Sequence, residues 1–229
     1  PNHQAPLTFS RKDPTMANPN LTLLVFLLDR SGSMQSIKSD VIGGFDAFLT
    51  EQRSGDGKCL VTLAQFDNRY EIVYTRIPLD EVPSLSLQPR GSTALLDSMG
   101  KLITDTAAEI NALDEDDKPG TVVLAIMTDG LENASSEWRR RDIKALVEQQ
   151  TNEFGWEFLY MGADQDAVEV GRGLGVKAEQ AITYGRGKSR EAMAAASDNV
   201  RNYRSAKLGN PAAAMPMFTP EQRSRVSED

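Results

Sequence analysis

Two stretches of the chain are apolar almost without interruption, and each runs into an aspartate: Leu21–Leu28 before Asp29, and Thr121–Met127 before Thr128 and Asp129. Runs of this kind, without polar alternation, are expected of central strands buried on both faces of a parallel sheet. Between them the rhythm changes. Ile37, Val41, Phe45, Phe48 and Leu49 recur at spacings of three and four and are closed by Ser54-Gly55-Asp56-Gly57, which predicts a helix and its stop. Cys59–Phe66 and Tyr70–Ile77 read as two strands, and the short link Asp67-Asn68-Arg69 makes them an antiparallel hairpin. A second helix is expected over Ala94–Ala112, with Leu95, Leu96, Met99, Leu102 and Ile103 on its apolar face.

After the second apolar run the pattern predicts a helix over Ser135–Gln150 and a strand over Trp156–Met161. Short pieces follow to Tyr184, and then an alanine-rich helix over Ser189–Lys207. Alternating β and α segments with central apolar strands indicate a doubly wound α/β fold, its mostly parallel sheet carrying one antiparallel edge strand and helices on both faces. The expected division is a mobile leader over 1–19, in which Met16 reads as a natural start, a single domain over 20–207, and a loosely held tail over 208–229.

Composition narrows the function. Acidic residues outnumber basic ones, 33 to 25, for a net charge of -8, which disfavours nucleic acid and anionic membranes as partners. The longest apolar run is far short of the ~20 residues that span a bilayer, so no membrane insertion is expected. The one histidine, His3, lies in the leader, which removes Ser-His-Asp and Cys-His catalysis from the folded body. A single cysteine, Cys59, cannot form an internal disulfide and points to a reducing, cytoplasmic setting.

In open parallel sheets ligands bind beyond the carboxyl ends of the strands. Three segments belong there: Asp29-Arg30-Ser31-Gly32-Ser33, Gly91-Ser92-Thr93-Ala94-Leu95 and Thr128-Asp129-Gly130. Their side chains offer two carboxylates and three hydroxyls, through Asp29, Ser31, Ser33, Thr93 and Asp129. Such an all-oxygen set suits a hard cation such as Mg²⁺, which takes about six oxygens and keeps waters where protein ligands are missing, and it does not suit zinc or copper. The same residues have a plainer use, since Asp and Ser after a strand cap helices and form turns.

The D-x-S-x-S, G-[ST]-T-x-L and T-D-G segments, in this order, resemble the metal-ion-dependent adhesion site of the von Willebrand factor A-like family over roughly Asn20–Tyr184. The lone domain and single cysteine look similar to the small intracellular bacterial members, many of which work beside ATPases or in stress-response and metal-resistance systems. The resemblance implies Ser31, Ser33 and Thr93 as direct or near-direct ligands of Mg²⁺, with Mn²⁺ or Ca²⁺ as substitutes, and Asp29 and Asp129 as ligands directly or through water. It implies an open coordination position that receives a Glu or Asp from a partner protein, and no enzymatic activity.

Two other functions compete with this one. A Mg²⁺-dependent phosphotransfer enzyme of the haloacid dehalogenase type also places a nucleophilic aspartate after its first strand, but its general acid two residues later would here be Ser31. A scaffold with a purely structural metal would dock its partner elsewhere. Gly171-Arg-Gly-Leu-Gly175 falls short of a dinucleotide fingerprint because Val176 replaces its last glycine. Gly187-Lys188-Ser189 falls short of a phosphate-binding loop because Ile182 replaces its first. Asp97, one turn after Thr93, is either an acceptor near the metal or an exposed helix carboxylate; Asp67 and Asp164 lie at strand ends without matching a motif. Arg139-Arg140-Arg141 reads as a solvated helix face. The oligomeric state is not legible.

Overall fold

The computed structural model describes residues 17–163 and 165–227. Six strands form one sheet in the order β3-β2-β1-β4-β5-β6. They are β1 (Asn18–Asp29), β2 (Lys58–Phe66), β3 (Tyr70–Pro78), β4 (Pro119–Thr128), β5 (Glu157–Ala163) and β6 (Ala181–Tyr184). All neighbours pair in parallel except β2 and β3, so the expected antiparallel edge is present. Among the described residues six α-helices surround the sheet: α1 (Lys38–Arg53), α2 (Leu95–Asn111), α3 (Arg140–Phe154), α4 (Ala167–Gly173), α5 (Ser189–Gly209) and α6 (Pro220–Val226).

The alternation of β1 side chains divides the interior in two. Leu24, Phe26 and Leu28 face the layer made with α1, α5 and α6, while Leu23, Val25 and Leu27 face the layer made with α2, α3 and α4. This is why β1 carries no polar alternation: both of its faces are core. The Phe26 ring meets Phe45 and Phe48 of α1 edge-on at centroid distances of 4.9 and 5.1 Å, which fixes α1 over the middle of the sheet.

Three expectations need revision. The leader was expected to extend to residue 19, yet Asn18 already belongs to β1 and its N–H donates to the Lys118 carbonyl at 2.8 Å; residues 1–16, with His3, lie outside the described residues. The tail was expected to be loosely held, but Met215, Phe218 and Val226 are buried in the α1/α5 layer. Thr219 and Gln222 close α6 with a reciprocal capping box, and Pro220 supplies its first turn. The helix expected from Ser135 begins only at Arg140. Carboxylates hold the intervening backbone in another shape: Glu132 accepts the N–H groups of Ala134 and Ser135, and Asp97 accepts those of Ser136, Glu137 and Trp138.

That use of Asp97 is neither of the two expected. Its carboxylate pins the β4–α3 loop onto α2, and the Trp138 ring then seats over Gly100, where an added Cβ would stand 2.2 Å from the ring.

Candidate metal centre

Because β1 and β4 are adjacent and parallel, the aspartates that follow their apolar cores emerge side by side at the same edge of the sheet. Asp29 is fully buried. Its Oδ1 accepts the Ser31 N–H at 2.6 Å, and its Oδ2 accepts the Thr128 hydroxyl at 2.6 Å. The first of these bonds turns the chain sharply out of β1 into a 3₁₀ turn over Gly32–Ser36, which sends Ser31 and Ser33 back across the strand ends. Their hydroxyl oxygens are 3.1 Å apart, and the Ser33 hydroxyl donates to Asp129 Oδ1 at 2.6 Å.

Thr93 reaches the same place from the loop before α2. Asn133 holds its backbone from both sides: Asn133 Oδ1 accepts the Thr93 N–H at 2.9 Å, and the Asn133 N–H donates to the Thr93 carbonyl at 3.0 Å. A Cβ added to Gly130 would lie 3.1 Å from Thr93 Oγ1 and 3.8 Å from Ser33 Oγ, so the hydroxyls of two loops border one small space over the β4 end. All five residues singled out in the sequence are therefore brought together at one point. Four of them are buried, and Ser33 faces solvent.

The electrostatics of the cluster fit a cation. Burial pushes the Asp29 carboxyl up to about 6, against the opposing pull of its hydrogen bonds from Thr128 and Ser31, and the neighbouring Asp129 charge pushes in the same direction as burial. Two carboxylates close together at a water-poor strand end disfavour each other's ionised forms. A divalent cation on the Ser33 side would relieve that, and the donors present are all hard oxygens. Among the described residues no three His, Cys, Asp or Glu side chains converge, here or elsewhere, so hydroxyls are required partners in any metal set at this site.

One residue that organises these loops was noted at a strand end in the sequence but given no role. Asp67, at the end of β2, is fully buried, and its Oδ2 takes Arg30 Nε at 3.0 Å and Arg90 Nε at 2.9 Å. Its Oδ1 accepts the Arg69 N–H, and its backbone carbonyl accepts the Ala94 N–H at 2.8 Å. Burial alone would raise this carboxyl; the hydrogen bonds from Arg90 and the Arg69 N–H, with the Arg30 charge, hold it below the usual carboxylate range instead. Asp67 thereby ties the loop carrying Ser31 and Ser33 to the loop carrying Thr93. The backbones continue the tie, since the Gly32 N–H donates to the Gly91 carbonyl at 3.1 Å. Gly91 has φ of 69°, and a Cβ there would stand 2.6 Å from Asn68 Oδ1, so both backbone and space select glycine. Asp164 lies outside the described residues.

No family model matches the chain, and no curated protein matches it by sequence. Solved structures do match. A von Willebrand factor type A protein from Catenulispora acidiphila superposes with a TM-score of 0.52 at 14% identity, over 84% of this chain and 43% of that one. The proximal thread matrix protein 1 of the mussel byssus, in a structure with a zinc-occupied MIDAS motif, gives a TM-score of 0.53 at 13% identity, over 80% and 46%. The vWF domain of the type V pili tip protein Mfa5 from Porphyromonas gingivalis gives 0.55 at 12% identity, over 78% and 94%. The chain spans less than half the length of the first two. At such identities the likeness is one of fold: this chain shares the doubly wound α/β architecture of von Willebrand factor A domains.

Proposed function

We propose that the chain is a metal-dependent protein-binding module, in which Asp29, Ser31, Ser33, Thr93 and Asp129 hold Mg²⁺ and a partner protein supplies a glutamate or aspartate to it. The observation that carries this reading is the meeting of two serine hydroxyls, one threonine hydroxyl and two carboxylates from three separate loops at one strand edge, Ser33 being open to solvent. A cation held there by neutral hydroxyls and two carboxylates retains Lewis acidity toward an incoming carboxylate. The protein's part is positional: Asp29 and Thr128 shape the turn after β1, Asn133 sets Thr93, and Asp67 aligns the loops.

The fold neighbours support an adhesion or interaction role rather than a reaction, and Ser31 stands where a phosphotransfer enzyme would need its acid. The neighbour whose MIDAS motif holds zinc makes Zn²⁺ a necessary arm of any metal test, although the oxygen-only donors here favour Mg²⁺ or Mn²⁺. A cytoplasmic setting is part of the proposal, supported by the single cysteine, Cys59, which is buried and free. Among the described residues no helix is long and apolar enough to cross a membrane.

The test is calorimetric titration of Mg²⁺, Mn²⁺, Ca²⁺ and Zn²⁺ into the protein and into Asp129→Ala, followed by partner capture with Mg²⁺ or with EDTA. Metal binding that is lost in the variant, together with a partner retained only with Mg²⁺, is the expected result. Equal metal affinity in both proteins would refute the ligand set.

A further inference from the structure

The helix that follows Thr93 has no cap of its own. Ala94 stands at the N-cap of α2, and its methyl group can accept nothing. The first N–H groups of a helix need acceptors, and alanine is a poor residue at that place. Here the acceptors come from the β4–α3 loop. Glu132 Oε2 accepts the Leu96 N–H at 2.9 Å, and Ser135 Oγ accepts the Asp97 N–H at 3.0 Å. Leu96 and Asp97 are the second and third residues of α2, the two that an N-cap side chain ordinarily serves.

The exchange runs in both directions. The Asp97 carboxylate accepts the Ser136 N–H at 2.8 Å and the N–H groups of Glu137 and Trp138 at 3.0 and 2.8 Å. A hydroxyl on the third N–H of a helix, with the third side chain reaching back to backbone, is the pattern of a capping box. Its two halves lie here on different segments, Ser135 and Asp97 being 38 residues apart. Glu132 also orients the serine it works beside: its Oε1 accepts the Ala134 and Ser135 N–H groups at 2.9 and 2.7 Å, and its Oε2 takes the Ser135 hydroxyl at 2.7 Å.

Each segment of this exchange carries a candidate ligand, since Thr93 precedes Leu96 by three residues and Asp129 precedes Glu132 by three. We propose that Glu132 and Ser135 are positioning residues of the candidate centre, which cap α2 from the β4–α3 loop and so hold Thr93 in register with Asp129. The inference rests on the reading of Thr93 and Asp129 as ligands and deepens it. Mg²⁺ demands near-ideal octahedral geometry, so ligands from separate loops must be fixed relative to each other before the ion arrives. A cap supplied by Ala94's own neighbours would hold α2 together but would leave the two loops free to part. Capping in trans makes the start of α2 and the Asp129 loop one body.

The test uses the full chain, wild type and variants, first without metal. Hydrogen exchange of residues 92–98 should run about five- to tenfold faster in Glu132→Ala than in wild type, as expected for a lost cap bond, with α6 unchanged. Mg²⁺ titration of the same proteins should then show affinity lowered about 10–100-fold in Glu132→Ala, less in Glu132→Gln, which keeps one acceptor oxygen, and measurably in Ser135→Ala, which removes no charge. Phe218→Ala, in the core layer on the other side of the sheet from α2, should bind Mg²⁺ as wild type does, which separates misplaced ligands from a general loss of stability. If Glu132→Ala does not fold, Ser135→Ala carries the same comparison. Unchanged exchange, or accelerated exchange with unchanged Mg²⁺ affinity, overturns the proposal. So does an equal loss in Glu132→Ala and Glu132→Gln with none in Ser135→Ala, which would report only a missing charge. Accelerated exchange beside a wild type that binds none of Mg²⁺, Mn²⁺, Ca²⁺ and Zn²⁺ would uphold the clamp between the loops and overturn the ligand reading.

Discussion

Replacing Asp67 by asparagine removes one negative charge and nothing else of consequence in volume, so it isolates the electrostatic clamp between the two hydroxyl-bearing loops. Arg30 is the partner that decides the cost. Its side chain is only 7% exposed, and without Asp67 it keeps one carboxylate, that of Glu71, whose side chain is 55% exposed. Breaking a buried ion pair from one side costs about 3–5 kcal/mol, and the surviving Glu71 contact places the expected loss near the lower end, about 3 kcal/mol. Arg90 adds little to this, being more than half exposed and able to hydrate. For a domain of this size that loss is a fall in Tm of roughly 6–12 °C. The pH dependence has a definite sign. Asp67 is held below its ordinary value of 3.8 in the folded state, so its contribution is present above that value and is lost as pH falls through the lower folded one. Urea melts of wild type and Asp67→Asn at pH 7 and at stepwise lower pH check this: the gap should be full at neutrality and narrow below about pH 4. Mg²⁺ affinity should fall in the same variant, because the Ser31/Ser33 and Thr93 loops lose their common anchor. An Asp67→Asn protein that melts within a degree of wild type, or a gap that does not depend on pH, would refute the argument that this carboxylate is the clamp.

Other consequences follow from the same structure. Thr93→Ala should leave the far-ultraviolet circular dichroism spectrum unchanged and abolish detectable Mg²⁺ binding, since Thr93 sits in a loop and its loss opens no cavity in either core layer. Saturating Mg²⁺ should stabilise the wild type by about 2.7 kcal/mol at a hundredfold excess over Kd and leave the Tm of Asp29→Ala unmoved, a comparison made by scanning calorimetry. Phe218→Ala should cost about 3 kcal/mol in a urea melt, because Phe218 is only 3% exposed against the α1/α5 layer; a loosely held tail would show almost no change. Gly100→Ala should displace the Trp138 ring, lowering stability by about 1–3 kcal/mol and shifting tryptophan emission to longer wavelength.

The parts of this molecule that were legible in sequence are those set by a local period. β1 and β4 announce themselves because both faces are buried, so thirteen apolar positions in two short runs leave no other reading. Once those strands are adjacent, Asp29 and Asp129 must lie at the same edge, and the candidate centre follows from a count of residues after each run. The boundary of α3 was misplaced for the opposite reason: Ser135 and Ser136 are good helix starters, but their backbone N–H groups are taken by Glu132 and by Asp97, the latter 39 residues before Ser136. No window along the chain reports a partner at that separation. The C-terminal segment is a different case, since Thr219-Pro220-Glu221-Gln222 spells a capping box with proline in its first turn. That signal was available, and the charged, proline-containing context concealed it.

Asp67 shows where local reading stops in physical terms. It follows an apolar strand just as Asp29 and Asp129 do, and by position alone all three have the same standing as ligands. What separates them is the sign of their surroundings. Asp29 and Asp129 lie together among hydroxyls, and burial drives Asp29 up to about 6; Asp67 meets Arg30 and Arg90, and these with the Arg69 N–H drive it down. The first environment gains from an added cation, whereas the second already contains its cations. Arg30 lies between the two. It occupies the variable position of the D-x-S-x-S segment, next to the candidate ligands in sequence, and points away from them to seal Asp67. A residue chosen for that position would therefore act on the candidate metal centre without touching it: it decides whether the Ser31/Ser33 turn is held to the β2 side of the sheet. Arg30→Lys, which keeps the charge but loses the guanidinium's simultaneous reach to Asp67 and Glu71, should weaken Mg²⁺ binding less than Arg30→Ala and more than no change at all. Titration of Mg²⁺ into the three proteins orders them; an Arg30→Lys affinity equal to that of Arg30→Ala would mean that the fork of hydrogen bonds, and not the charge, aligns the loops.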